Sequence, residues 1–307
     1  MFHFNHSGNM DETKHFLSKN KILEIELDNL WSAYNGLNDL IPQEIGFTTP
    51  DGKFVRGRMG SGNTLPYSES IFEIHCSYEL ASLSFYKQAM ISLRSALELG
   101  LLSVYFDKND DSQKTIPDWY NSNMDTPFKK NIVKGILQIE NITKFCTQSD
   151  LEKRINQVFE DLSHYNHSKG LSYSAMVLNK ANFTRFNEDA FLKWTVYFKR
   201  VIQILVIIHI LKYPIAMQDT PMFKKFGLNG PMSGFIDDSE RYFIKAVLSE
   251  EDIKIIQEIS DSDENAKTQA EWVNSHRDLT NEEIEKQLKE WEELMEQMKP
   301  KNSTDKD

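Results

Sequence analysis

The stretch "AMISLRSALELGLLSVYFD", Ala89 to Asp107, decides the fold class. Met90, Leu93, Leu97, Leu101 and Val104 recur three and four residues apart, and Leu83 and Tyr86 extend the series towards the N-terminus. Residues at that spacing share one face of a helix, so the stripe predicts a helix of roughly seven turns with one long apolar side. Such a side must be buried against other helices, and the rest of the chain supplies them.

Working outward, Leu23, Leu27, Leu30, Tyr34 and Leu37 predict an opening helix over residues 11–40. "IGFTTPDGKFVRGR", Ile45 to Arg58, breaks the pattern with the turn signal Pro50-Asp51-Gly52 between β-prone pieces, and a small hairpin is expected there. The glycines of "GRMGSGNTLP", Gly57 to Pro66, lack the spacing and the following Lys-Ser/Thr of a phosphate-cradling loop. From about Ser68 the chain is expected to run helical. A polar loop over 107–127, with Pro117 and Pro127, follows, and then a helix over 128–146.

"SDLE", Ser149 to Glu152, has the form of a capping box, and it opens a helix that would bury Leu151, Ile155, Val158, Phe159 and Leu162 and end with Gly170 as the residue after its cap. Asn187 is placed to cap a helix over 188–213 that Pro214 stops. Within it, "VIQILVIIHIL", Val201 to Leu211, is nearly all apolar, but about half the length of a membrane span, and Lys199-Arg200 and Lys212 bracket it. A central buried helix is the reading, with no membrane.

Beyond Pro214, "FGLNGPMSGF", Phe226 to Phe235, is a glycine-rich loop, and "SEED" at Ser249 and "TNEE" at Thr280 open acidic helices. The last helix carries Ile284, Leu288, Trp291, Leu294, Met295 and Met298 on one side, for packing on the bundle or on another subunit. The expected organisation is mostly α: an N-terminal helix plus hairpin (1–67), a helical-bundle core (68–215), an acidic helical extension (216–299) and a disordered tail (300–307).

Charge is unevenly placed. Of the net −11, residues 237–307 hold 21 Asp+Glu and 10 Lys+Arg, which leaves 25 of each in the first 236 residues. A neutral body is not the strongly basic surface of an avid nucleic-acid binder, although a local basic groove can sit on it. Two cysteines, Cys76 and Cys146, make no disulfide framework and suit a reducing, cytoplasmic setting. The first residues carry no apolar run, so no signal peptide is expected.

Three features bear on chemistry. Arg94 and Glu98 lie four apart beside the apolar stripe, as an ion pair would. In "FEDLSHYNHSKG", Phe159 to Gly170, Asp161, His164 and His167 fall three apart near a helix end, where histidine complements the helix dipole. "DLSH" mimics the carboxylate-x-x-His element of di-metal bundles, but the chain has no His-Glu-x-x-His and no paired-cysteine pattern, so no metal and no cofactor is expected. Arg154 precedes His164 by ten residues, about 15 Å along a helix axis and too far for both to hold one phosphate.

"AMISLRSALELGLLSVYFD", followed about sixty residues later by "LEKRINQVFEDLSHYNHSKG", resembles a group of bacterial helical-bundle proteins related to the HEPN superfamily. Its shared pattern is LR-x-x-x-E on one helix and LS-x-x-x-H on a later one. Arg94 and Glu98 match the first piece, and Leu162, Ser163 and His167 match the second; His164 is outside it. The resemblance covers about residues 70–215 and implies a helical bundle, often a homodimer, with an operon-encoded protein as a further partner. Catalytic HEPN proteins are metal-independent ribonucleases of toxin, CRISPR and phage-defence systems, with an arginine four to six residues before the histidine. This chain has no arginine at that spacing.

Two functions therefore stand open. In one, a ribonuclease or toxin acts on RNA, with His167 as acid or base, Arg94 on the phosphate and Glu98 orienting them; His164, Arg154 and Ser163 are secondary candidates. In the other, Arg94, Glu98 and His167 form a structural network in a non-catalytic binding or scaffold protein.

Overall fold

The computed structural model describes residues 6–41, 47–48, 54–55, 64–108, 115–167, 169–180, 185–230 and 234–298. The chain is mostly α. Its main helices are α1 (His6–Lys19), α2 (Lys21–Gly36), α3 (Thr64–Ser82), α4 (Tyr86–Phe106), α5 (Lys129–Ile136), α6 (Glu140–Cys146), α7 (Leu151–Asn166), α8 (Glu188–Lys212), α9 (Asp238–Val247), α10 (Glu250–Ser262), α11 (Glu264–Ser275) and α12 (Asn281–Met298). Single turns of helix at Ile116–Tyr120, Ala175–Leu178 and Met222–Phe226 punctuate the connections.

The expected N-terminal hairpin does not develop into strands of ordinary length. Phe47–Thr48 and Phe54–Val55 pair antiparallel over two residues each, the only such pairing among the described residues and shorter than ordinary strands. The turn expected at Pro50-Asp51-Gly52 lies outside the described residues, as does the 300–307 tail.

Helix α4 is the hub. It buries Tyr86, Met90, Leu93, Leu97, Leu101 and Val104 as its spacing predicts, and also Ala89, Ala96, Leu102 and Phe106, so helices surround it: α3, α5, α7 and α8 all pack against it. Helix α8 is equally enclosed. From Val201 to Leu211 only Gln203 is not fully buried. Both α4 and α8 are long and apolar enough to cross a membrane by length and composition, yet 61% and 72% of their most apolar windows are buried within the protein. They close on each other at Gly100, where an added Cβ would lie 2.5 Å from Leu205 Cδ2 and 2.8 Å from the Tyr34 hydroxyl. One continuous core runs from Leu17 of α1 to Ala270 of α11, so the N-terminal helices, the bundle and the acidic extension share it.

Several helices expected as single are divided. The opening helix over 11–40 breaks at Asn20. The long run from Ser68 reverses at Leu83–Phe85, where Phe85 N–H donates to Leu80 O (2.7 Å) and Ser84 N–H to Ala81 O (2.9 Å), with Ser84 at φ +67°. This is the Schellman way of ending a helix, with serine in the place glycine usually takes. Its remaining carbonyls are satisfied from afar. Thr13 Oγ1 donates to Ser82 O, Asn9 Nδ2 to Leu83 O and Asn179 Nδ2 to Ser84 O. The helix expected over 128–146 is likewise two, α5 and α6, with Ile139 extended between them.

The capping expectations divide. Ser249 caps α10 by accepting from Asp252 N–H, and Thr280 and Glu283 exchange the reciprocal bonds of a capping box at α12. "SDLE" does not act as a box. The cap of α7 is Asp150, whose carboxylate turns to Arg154 Nε at 3.2 Å, and Ser149 Oγ is buried without a partner. Gly170 has φ +80° but lies beyond the residue after the α7 cap, which is His167. Asn187 precedes α8, but its amide donates to Leu178 O rather than capping the helix.

Beyond Pro214, α9 packs on α2, and α10 packs on α8 and on the Pro214–Met217 turn. Helix α12 is tied to Phe226 and Leu228 by Gln287. Its apolar side does not pack on the bundle, for Leu288, Trp291, Leu294 and Met295 are 41–52% exposed.

His209, at the buried centre of α8, lies beside Tyr34 and Tyr67, bonds Leu205 O through Nδ1 at 2.8 Å and leaves Nε2 unpartnered. Burial lowers its pKa to about 4, against the backbone bond that favours the charged form. Below about pH 6.5 the unfolded chain takes up a proton that the folded chain refuses, so stability is full above that pH and falls as pH drops towards 4. Urea titrations should show up to about 3 kcal/mol of loss across this window, and His209→Gln should flatten that part of the profile. Gly100→Ala should cost about 1–3 kcal/mol in the same assay, because a methyl group meets Leu205 and Tyr34.

Candidate functional site

The site expected from the sequence lies where α4 and α7 pack, and each side chain is placed by its helix. Arg94 and Glu98 follow one turn apart on the flank of α4 that its apolar stripe does not fill. Arg94 Nη1 meets Glu98 Oε2 at 3.2 Å, with both side chains about three-quarters buried. Arg94 Nε donates to Ser163 Oγ of α7 at 3.2 Å. Ser163 in turn donates to Phe159 O one turn earlier, at 2.6 Å, which fixes its hydroxyl and leaves its lone pairs for Arg94. Glu98, Arg94 and Ser163 thus form a hydrogen-bonded line from one helix to the other.

His167 does not join that line. Helix α7 ends at Asn166, and His167 is its cap, with φ −88° and ψ 7°. It is exposed, and its imidazole has no hydrogen bond, ion pair or ring contact among the described residues. The pairing of Arg94 and Glu98 with His167 as one network is therefore corrected: Ser163, a secondary candidate, takes the place on α7 expected of His167. The reason is local. Once the backbone leaves helical dihedrals, the side chain no longer continues the i, i+4 row that Ser163 occupies.

His164 belongs to a different cluster. Its ring packs edge-on to Tyr173 at 4.9 Å, and Lys169 Nζ lies 3.1 Å from Nε2. An ammonium group can only donate, so in this contact Nε2 accepts, and Nδ1 is buried without a partner among the described residues. Tyr165, Tyr173 and Tyr197 pack alongside. Burial first, and then neighbouring Tyr173 and Asp161, push the Tyr165 hydroxyl up to about 12, so it stays neutral. Asp161 is held by Gln157 rather than by either histidine. Among the described residues no three His, Cys, Asp or Glu side chains converge as metal ligands would.

Arg154 is a clamp. It donates through Nη1 and Nη2 to the two carboxylate oxygens of Asp252, at 2.9 and 3.0 Å, and pairs with Asp150 through Nε. This fork-on-fork contact fastens α7 to the first turn of α10, and so the bundle to the acidic extension. Sequence reasoning noted Arg154 but missed Asp252, 98 residues on; its only signal was an aspartate inside a recognised helix start.

Comparison of the chain with protein-family models, with curated proteins and with solved structures finds no match.

Asp252→Ala should destabilise the protein by about 2–4 kcal/mol, because it strips a mostly buried guanidinium of its bidentate partner. Arg154→Ala should cost less, and the double variant should fall short of the sum, which a double-mutant cycle in urea would read.

Proposed function

We propose that this chain is a HEPN-like helical-bundle protein that works by binding and not by cutting, with Arg94, Glu98 and Ser163 as a structural lock between α4 and α7. One observation carries this reading. The two N–H directions of Arg94 described above are engaged within the chain, by Ser163 and Glu98, and the histidine that would exchange protons stands outside that network. Cleavage of RNA by its own 2′-hydroxyl needs an acid and a base beside a fixed cation. Here the cation is fixed and the acid–base group is elsewhere.

The second reading is a metal-independent endoribonuclease or toxin of a bacterial defence system, acting on RNA as a homodimer. It is favoured by the same histidine seen differently. His167 is exposed and unengaged, and it follows Ser163 by four residues, so a second subunit or a bound RNA could bring it and the Arg94 face together.

Labelled total RNA incubated with purified protein, with and without chelator, separates the two. The expected result is no cleavage under either condition, with Arg94→Ala lowering Tm by about 2–4 °C and His167→Ala leaving it unchanged. Cleavage that survives chelator and disappears in His167→Ala would overturn the binding reading in favour of the nuclease.

A further inference from the structure

On the side of the bundle where α5 lies against α7 there is a groove of about 520 Å³. Lys129, Lys130 and Lys134 line it from α5, with Val133 on its floor and Asn156 and Glu152 contributed by α7. Helix α5 is held against α4 by a close approach of its own: a Cβ at Gly135 would lie 2.5 Å from the Tyr105 ring. The lysine row therefore stands on a rigid element.

The charges in this groove are unusual for this chain. The protein carries a net charge of −11, and carboxylates pair with many of its cations, yet none of these three lysines has an ion-pair partner within 4 Å among the described residues. Two of them, Lys129 and Lys130, occupy the first turn of α5, where a cation opposes the helix dipole and where no acidic residue offsets it. Lys129 is drawn inwards over the Phe159 ring at 4.7 Å. Burial lowers its ammonium from the ordinary lysine range, Arg94 adds to that, and Glu160 opposes it. Three cations facing one groove against the single lining carboxylate of Glu152 leave an excess of positive charge, which an entering anion stabilises. Lys130 and Lys134 stand one helical turn apart, about 6 Å along the axis, and with Lys129 they place three positive charges along one groove, which suits a multiply charged anion.

We propose that the α5–α7 groove binds a ligand presenting two or more linked phosphates, with Lys129, Lys130 and Lys134 as its contacts. Val133 gives the ligand an apolar floor, and Asn156 a neutral hydrogen-bonding group. The site adjoins the Arg94–Ser163 line at Lys129 and Phe159, but its occupancy does not depend on whether the chain cuts RNA.

Inorganic tripolyphosphate is the probe, titrated calorimetrically into the full chain. Saturable binding that weakens as salt is raised is expected, and Lys130→Gln/Lys134→Gln should weaken it by roughly tenfold or more. Both side chains are exposed, so the double variant should keep the wild-type Tm. Absence of tripolyphosphate binding, or binding that the double variant leaves unchanged, would overturn the proposal. Competition then identifies the source of the phosphates. Displacement by a nucleoside triphosphate alone supports a free nucleotide, and displacement by a single-stranded oligonucleotide supports a nucleic-acid backbone.

Discussion

The approach of α4 to α8 at Gly100 is the constraint on which the arrangement depends. Leu205 and the Tyr34 hydroxyl occupy the space a side chain at residue 100 would need. The Tyr34 hydroxyl also donates to Ser70 Oγ, which donates on to Ala96 O, so the same point ties α2 and α3 to α4. Two apolar helices drawn this close exclude water from a long seam, and every other helix of the bundle is laid against one or the other. The buried His209 is a consequence, for it lies on α8 only four residues from Leu205 and must remain uncharged there.

The polar side chains divide into those that finish the architecture and those that remain available. Asn9, Thr13 and Asn179 complete the carbonyls at the α3–α4 reversal, Arg154 joins α7 to α10, and Arg94 joins α4 to α7. These groups have geometry and partners and are largely screened from solvent. His167, Lys130 and Lys134 are the reverse: among the described residues they are exposed and have no ion-pair partner. In a chain whose acidic charge is concentrated at one end, unpaired cations in a groove are the feature least explained by folding alone.

The helical class and the identity of the two central helices were legible because hydrophobic period is a strong signal over long segments. The helix breaks were not. Ser84 ends α3 in a left-handed conformation that glycine would have advertised, and the distant donors Thr13, Asn9 and Asn179 make serine acceptable there. "SDLE" has the letters of a capping box, but Asp150 serves Arg154 instead, because Arg154 is held in place by Asp252 across the interface. Of the candidate site, the Arg94–Glu98 pair was legible from its four-residue spacing. The partner expected on the second helix was His167, and the helix end before it gave that place to Ser163, a secondary candidate.

By itself the sequence determined what depends on local periodicity and composition: a mostly helical chain, buried central helices, an acidic C-terminal third and an i, i+4 ion pair on α4. Tertiary structure alone decided what depends on rotation and distance between elements. It placed Ser163 rather than His167 against Arg94, gave Arg154 to Asp252 and opened a groove beside three unpaired lysines. The physical reason is that a helix's face is written in its own residues, whereas the partner of a side chain leaving that face is set by how two helices pack, which no single stretch encodes.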